Sequence, residues 1–336
     1  MRAYRLCVLA ATLLTFFVVG LGAYVRLSDA GLGCPDWPGC YGHLVGVPNQ
    51  PHEHVAAQEA FPHSPVEPGK AWKEMIHRYF AGTLGLLILA ICVLAWRHRR
   101  ELPYSPLLPT LLVGVVGFQA ALGMWTVTLL LKPAIVTAHL LGGMTTLALL
   151  VVLSLRLRRR ATPALGTGGR MRLFAGAALL LVVAQIALGG WVSSNYAALA
   201  CVDFPTCNGA WKPSGMEFEH AFHLFRELGQ TAAGEDLPPA AMLAIHWAHR
   251  VGALLVFLLV GALALTLLGR SGWRRWGAVL GALLLLQVSL GISNVVLSLP
   301  LALAVAHNLG AALLLSALVA FNLRLYSPAR RRSIFS

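Results

Sequence analysis

Apolar residues occur along this chain in long runs, separated by shorter polar segments rich in arginine, proline and glycine. A run of about 20 apolar residues is long enough to cross the hydrocarbon core of a bilayer as a helix. The runs predict eight spanning helices, near residues 6–25, 75–96, 107–128, 134–155, 173–194, 241–269, 276–297 and 301–323. The first run follows Arg2 and Arg5, but it is longer than the apolar core of a signal peptide, so we interpret it as a span.

Composition agrees with this pattern, because 57% of the 336 residues are hydrophobic and only 12% are charged. Such a chain is typical of a polytopic membrane protein and not of a water-soluble domain. The sequence therefore predicts an all-α integral membrane protein. Two polar segments, about 26–74 and 195–240, are too long to be simple turns and form the main loops.

The net charge of +13 could indicate nucleic-acid binding, but most Lys and Arg residues lie in short segments beside the spans. This arrangement is the orientation signal of membrane insertion. All acidic residues except Glu101 lie in or beside the two long loops. We therefore expect both termini in the cytoplasm, both long loops outside it, a lipid membrane as the environment and no nucleic acid as a partner.

The chain contains two similar halves. The segment from Cys34 to Gly42 recurs in the second half from Cys201 to Gly209, with matching Cys, Asp, Pro, Cys and Gly positions. Each half has four predicted spans, so both halves enter the membrane in the same orientation. The sequence predicts two tandem four-helix bundles related as a parallel repeat, at residues 1–160 and 173–336, joined by a cytoplasmic linker at 161–172.

Each half carries two histidines, which we expect in the first two turns of their spans: His77 and His139, then His249 and His307. A histidine within a membrane span is costly and usually functional. Two imidazoles that face each other across a bundle can take both axial positions of one heme iron. The alternative is that they bridge helices by hydrogen bonds. Zinc is disfavoured because no third or fourth ligand accompanies either pair.

Cysteines occur in pairs in the two long loops, Cys34 with Cys40 and Cys201 with Cys207. Both pairs lie on the predicted oxidising side of the membrane, where a six-residue separation that contains proline can close a disulfide. We expect two disulfides within the loops. A purely structural role and a redox-active role both remain open at this point.

These residues together resemble the heme A synthase family of bacteria and mitochondria. The resemblance covers nearly the whole chain and rests on Glu74-Met-Ile-His77-Arg78, on His249-Arg250, on the later histidines of each half, and on the loop that begins Gly31-Leu-Gly-Cys34-Pro-Asp-Trp-Pro. It implies oxidation of the position-eight methyl of heme O to a formyl group, which gives heme A for terminal oxidases. It further implies that His249 and His307 hold a heme b cofactor and that His77 and His139 hold the substrate heme.

Glu74 distinguishes the halves, because it lies three residues before His77 whereas His246 holds the matching position before His249. A carboxylate beside a heme ligand could accept protons or stabilise positive charge as a methyl carbon is oxidised. The family resemblance implies that Glu74 is the catalytic group. The alternative is an acidic residue that is favoured by the dipole at a helix N-terminus.

Neighbouring polar residues allow two interpretations each. Arg78 and Arg250 could bind heme propionates or could extend to the membrane surface. Gln119 precedes His139 by the same interval as Gln287 precedes His307, and hydrogen bonding between helices is the simpler role for both glutamines. The resemblance favours a redox role for the first cysteine pair in heme delivery or enzyme reduction.

Other functions remain open. A diheme b electron-transfer protein linked to quinol would also use two histidine pairs, although the unmatched Glu74 favours the enzyme. A transporter would require polar interruptions at mid-membrane, and few are present. The resemblance also makes the farnesyltransferase that produces heme O, and oxidase assembly factors, plausible partners. An oligomer is compatible with the sequence.

Overall fold

A computed structural model describes residues 2–157 and 169–326. The described residues form helices and turns without a strand. The helices are α1 (Arg2–Leu27), α2 (Pro51–Ala60), α3 (Pro68–Arg97), α4 (Leu107–Thr128), α5 (Pro133–Leu157), α6 (Gly169–Ser194), α7 (Phe218–Ala221), α8 (Pro239–Leu268), α9 (Arg274–Val296) and α10 (Leu301–Leu325). All except the short α2 and α7 are long and apolar enough to cross a membrane. The predicted all-α membrane protein with eight spans is confirmed.

Two helix starts differ from the prediction. Helices α3 and α8 begin at Pro68 and Pro239, before the predicted residues 75 and 241, because proline is well tolerated at the first position of a helix. The expectation that His77 and His249 lie in the first two turns is therefore wrong, since each lies near the end of the third turn. Helix α6 already begins within the predicted linker 161–172, of which 161–168 lie outside the described residues. The duplication and the domain boundaries stay predictions.

The spanning helices of each half pack as a ring of four. In the first half, α1 and α4 each pack against both α3 and α5. In the second half, α6 and α9 each pack against both α8 and α10. Consequently α3 lies diagonally across from α5, and α8 lies diagonally across from α10. The four helices that carry the paired histidines are thus the diagonal partners of the two rings.

The halves meet where α10 packs against α1 and α5, and where α5 packs against α6. At one end of this interface Arg26 donates a hydrogen bond to the carbonyl oxygen of Ser193 at 2.7 Å. A salt bridge of 2.7 Å joins Lys132 to Glu227. This pair is partly exposed, and such pairs contribute at most about 1 kcal/mol, so helix packing is the main connection.

The histidines lie between layers of apolar packing. On α3, Met75 belongs to a cluster around the first cysteine pair, and Leu84 and Ile88 belong to a second cluster with α1, α4 and α5. His77 lies between these two layers. On α8, His249 likewise lies between Ile245 and Val256, which belong to different clusters. Apolar packing on both sides therefore fixes the depth of each imidazole in its bundle.

Tight corners precede the other two histidines. Leu130 and Leu131, before α5, have φ of 48° and 57°, and Ser298 and Leu299, before α10, have φ of 57° and 62°. Residues other than glycine rarely adopt this left-handed backbone, which costs about 1–3 kcal/mol when the surroundings enforce it. Each corner is closed by a backbone hydrogen bond, for example 2.8 Å from the amide of Leu131 to Thr126. The corners fix where α5 and α10 begin, and hence the position of the histidine in the second turn of each helix.

Candidate heme site

Each paired histidine packs its ring against a glycine of a neighbouring helix. A methyl group built on that glycine would lie within 3.0–3.3 Å of the imidazole Cε1 atom. Any larger side chain would displace the ring, because such a contact is already tighter than normal packing. The four pairs are Gly22 with His77, Gly123 with His139, Gly189 with His249, and Gly291 with His307. We call these contacts the ring seats.

The two imidazoles of each half lie near each other. His77 and His139 are close enough to interact electrostatically, and so are His249 and His307. Each pair comes from diagonal helices of one ring, so its members approach from opposite sides of the bundle centre. This arrangement can supply the two axial ligands of one porphyrin iron.

Several of these ring nitrogens have no partner among the described residues. The Nδ1 atoms of His77, His139 and His307 are buried and make no hydrogen bond. A buried polar atom without a partner normally costs about 1–3 kcal/mol. Such atoms are typical of side chains whose position is set by a bound group as well as by packing.

Both predicted disulfides are confirmed. Cys34 is bonded to Cys40, and Cys201 is bonded to Cys207, and all four residues are buried. We refer to residues 34–40 and 201–207 as the first and second disulfide loops. The two loops lie directly over α3 and α8, at the ends of these helices that come before the histidines.

Helix α3 holds the first disulfide loop through two charged side chains. The carboxylate of Glu74, which is 5% exposed, accepts a hydrogen bond of 3.0 Å from the amide of Cys34. Its other oxygen forms a 2.5 Å salt bridge with Arg78. Arg78 also donates to carbonyl oxygens of the loop, including that of Asp36 at 2.9 Å. Glu74 therefore links the loop to the helix turn that carries His77.

Helix α8 holds the second loop in the same way with different chemistry. The Nδ1 atom of His246, which is 4% exposed, lies 3.1 Å from the amide of Cys201, and its Nε2 atom lies 3.2 Å from Nε of Arg250. A neutral imidazole accepts at only one nitrogen, so only one of these contacts is a full hydrogen bond. Arg250 also donates to the carbonyl oxygens of Cys201, Asp203 and Thr206.

Sequence reasoning did not find this common role of positions 74 and 246. The signal was present, because Arg78 and Arg250 each follow the polar residue by four positions, which is one helical turn. Each arginine thus joins its polar neighbour to the loop. Contact of either arginine with heme propionates stays a prediction.

An aspartate organises each disulfide loop from within. Asp36 accepts hydrogen bonds from the amides of Tyr41 and Gly42, at 2.6 and 2.8 Å. Asp203 accepts from the amides of Asn208 and Gly209, and also from the hydroxyl of Thr206. The Thr206 hydroxyl and these amides lower the pKa of Asp203 to about 2. The ionised form of Asp203 is therefore part of the folded loop.

Three glutamines lie against the histidine helices. Gln119 donates to the carbonyl oxygen of His139 at 2.7 Å, and Gln185 donates to that of His249 at 2.9 Å. Gln287 places its amide nitrogen 3.3 Å from Nε2 of His307. The helix-bridging role expected for Gln119 agrees with its contact. Gln185 was not identified from the sequence, because it lies on another helix and is distant in the chain from its partner.

The fold and the site define a membrane-embedded protein with two pairs of partly buried histidines. The family model described as a cytochrome oxidase assembly protein, COX15-CtaA, matches residues 5–319. The chain is 48% identical over 321 residues to the heme A synthase of Shewanella oneidensis, covering 95% of this chain and 96% of that protein. It is 28% identical over 305 residues to the heme A synthase of Halalkalibacterium halodurans, covering 88% of each. The chain belongs to the COX15-CtaA family.

Proposed function

We propose that this protein is a heme A synthase, an integral membrane oxidoreductase that converts heme O to heme A. The observation that carries this conclusion is the 48% identity to a heme A synthase over nearly the full length of both chains. The family model, which spans the same region, supports it. The reaction oxidises the position-eight methyl of the porphyrin to a formyl group.

We further propose that His77 and His139 bind the substrate heme O, and that His249 and His307 bind heme b as the resident cofactor. The ring seats support this assignment, because they hold each imidazole against a helix and leave no space for another side chain beneath it. The buried ring nitrogens without hydrogen-bond partners also fit, because an unpaired imidazole nitrogen is available to bind a metal. Bound heme b supplies one-electron redox chemistry.

Glu74 is the proposed catalytic residue. Its carboxylate is the acidic group nearest in the chain to a proposed substrate ligand, one helical turn before His77. There it can take up protons or orient water as the methyl is oxidised. The salt bridge to Arg78 and the hydrogen bond from Cys34 fix the positions of its two oxygens. Fixed placement of an acid–base group is worth more than its presence alone, because less reorganisation is needed during the reaction.

The disulfide loops cover the helix ends next to the proposed heme sites. We propose that both loops are extracytoplasmic and both termini cytoplasmic, because arginines cluster at the other helix ends. A role of the Cys34–Cys40 disulfide in electron exchange stays a prediction. The farnesyltransferase that makes heme O and oxidase assembly factors are the proposed partners.

The decisive experiment is heme extraction from cells that make heme O, with and without this chain, followed by chromatography. A formyl heme that appears only with the chain supports the synthase. Unchanged heme O, with low-spin heme b still bound to the purified chain, would instead select a diheme electron-transfer protein. A His77→Ala variant serves as the matched control and should form no heme A.

A further inference from the structure

The four ring seats are alike, but the side chains beside them are not. Three histidines have a glutamine from the adjacent helix next to them, and three residues after each of these histidines there is a glycine. The groups are Gln119 with Gly142 at His139, Gln185 with Gly252 at His249, and Gln287 with Gly310 at His307.

Each glutamine depends on its glycine for space. A methyl group built on Gly142, Gly252 or Gly310 would overlap Oε1 of the glutamine beside it. The amide can therefore lie against the histidine helix only because the side chain at that position has been reduced to hydrogen. Substitution of one member alone would leave a cavity or a clash, so the two residues form a unit, which we call the amide notch.

His77 has no amide notch. Helix α1 has Val18 at the position that Gln185 holds in α6, four residues before the seat glycine in both helices. Helix α3 has Phe80 at the position that Gly252 holds in α8, three residues after the histidine. The Phe80 ring instead packs edge-on against Phe17, with 4.9 Å between centroids. Both members of the unit are thus replaced together, and an apolar contact takes their place.

The contact differs among the three histidines: Gln119 reaches only the backbone carbonyl oxygen of His139, Gln287 reaches Nε2 of His307, and Gln185 contacts both the ring and the backbone of His249. Nε2 of Gln185 lies 3.0 Å from Nδ1 of His249 and 2.9 Å from its backbone carbonyl oxygen. In this orientation the amide donates to an unprotonated Nδ1. To accept the Nδ1 proton of a ring that binds iron through Nε2, the amide turns and gives up its hydrogen bond to the carbonyl oxygen. Partners of this kind fix the ring orientation and raise the basicity of a ligating histidine. At His77 the ring seat remains, but this restraint is missing.

We propose that the amide notches hold His139, His249 and His307 as firm axial ligands, and that Val18 and Phe80 leave His77 as the ligand that releases iron readily. In the second pair both histidines have a notch, so this pair retains its porphyrin. In the first pair only His139 has a notch, so this pair exchanges its porphyrin, as a site for a substrate and product must. This inference rests on the proposed heme ligation.

The test measures the transfer of heme from the purified full-length protein to excess apomyoglobin, followed by absorbance. Removal of a partner of a metal ligand typically weakens metal affinity about 10–100-fold. We expect Gln185→Leu to release heme b about tenfold faster or more, with a shifted reduction potential of the remaining low-spin heme. Val18→Leu, at the matching position of α1, is the control and should release heme b at the wild-type rate.

A second variant tests the reverse change. Val18→Gln combined with Phe80→Gly builds a notch at His77, and protein loaded with heme O should then lose it about tenfold more slowly. Wild-type rates in both Gln185→Leu and the double variant would overturn the inference. If Gln185→Leu releases heme b at the wild-type rate and His249→Ala loses heme, only the proposed role of the notch is overturned. If His249→Ala retains heme, the proposed ligation itself is overturned.

Discussion

The turns of α3 and α8 beneath the disulfide loops occupy matching places but hold their loops with different side chains. Each turn binds the first cysteine amide of its loop and has an arginine one turn later that binds loop carbonyl oxygens. In α3 the amide is held by the Glu74 carboxylate, and in α8 by the His246 imidazole. A structural role is therefore available to both residues. Only Glu74 can also carry a negative charge, so this charge distinguishes the turn in the proposed substrate half from its counterpart in α8.

The largest expected effect is the result of replacing a paired histidine, and it should differ between the two pairs. His249→Ala or His307→Ala should remove most of the low-spin heme b from the purified protein, because one axial ligand and a ring that fills its seat are lost together. His77→Ala should retain heme b and lose heme A formation. Optical spectra of the reduced protein and extraction of the pigment measure both outcomes. Full heme b content in His249→Ala would contradict the assignment of cofactor and substrate halves.

Next in size is the effect of the charge at Glu74. Glu74→Gln keeps an oxygen that can accept from the Cys34 amide but removes the charge. We expect heme b to remain and heme A formation to fall by roughly 10²–10⁴-fold, the usual contribution of a general acid or base. His246→Gln makes the matching change in α8 and controls for disturbance of a disulfide loop. Efficient conversion of heme O by Glu74→Gln would refute the catalytic role and leave Glu74 as a loop anchor.

The arginines should differ in their effect on stability. Arg78→Met leaves the buried Glu74 carboxylate without its ion-pair partner, which is expected to lower the free energy of unfolding by about 3–5 kcal/mol. Arg250→Met leaves carbonyl oxygens without donors but leaves no buried charge without its partner. The expected loss in the free energy of unfolding is therefore about 1–3 kcal/mol. Thermal unfolding in detergent compares the two variants. Equal losses would mean that the salt bridge adds nothing beyond the hydrogen bonds to the loop.

The smallest effect concerns acid sensitivity of the second disulfide loop. The pKa of Asp203 is lowered to about 2, so the stability contributed by its ionised form is present above the ordinary aspartate pKa near 4 and is lost as the pH falls towards 2. Gly39 in the first loop matches Thr206, so Thr206→Gly removes the hydroxyl that the first loop lacks. This variant should raise the pKa of Asp203 towards its unfolded value, so its stability should fall less between about pH 4 and 2 and the loss should be complete at a higher pH. Unfolding measured between pH 2 and 5 for wild type, Thr206→Gly and Asp203→Asn provides the check, and identical profiles would exclude the effect.

Much of the architecture could be predicted because the signals are local. A helix in lipid must satisfy its own backbone hydrogen bonds, so each long apolar run predicts one span. The predicted starts of α3 and α8 lie later in the chain than the observed ones. In α3 the reason is that the turns beneath the disulfide loop contain charged residues such as Lys73 and Glu74, which interrupt the apolar run. The role of Arg78 was missed for a related reason. Its partners are carbonyl oxygens of a loop that is distant in the chain, and a sequence pattern carries no information about backbone oxygens.

By itself the sequence determined the class of protein, the eight spans, the two cysteine pairs and the histidines proposed to bind heme. Length, hydrophobicity and side-chain chemistry decide these properties, and all of them are visible along the chain. Only the tertiary structure decided that the histidine helices are diagonal partners, that Glu74 and His246 hold equivalent places beneath the disulfide loops, and that Gln185 reaches His249. These relations depend on how helices pack, and packing joins residues that are far apart in the chain.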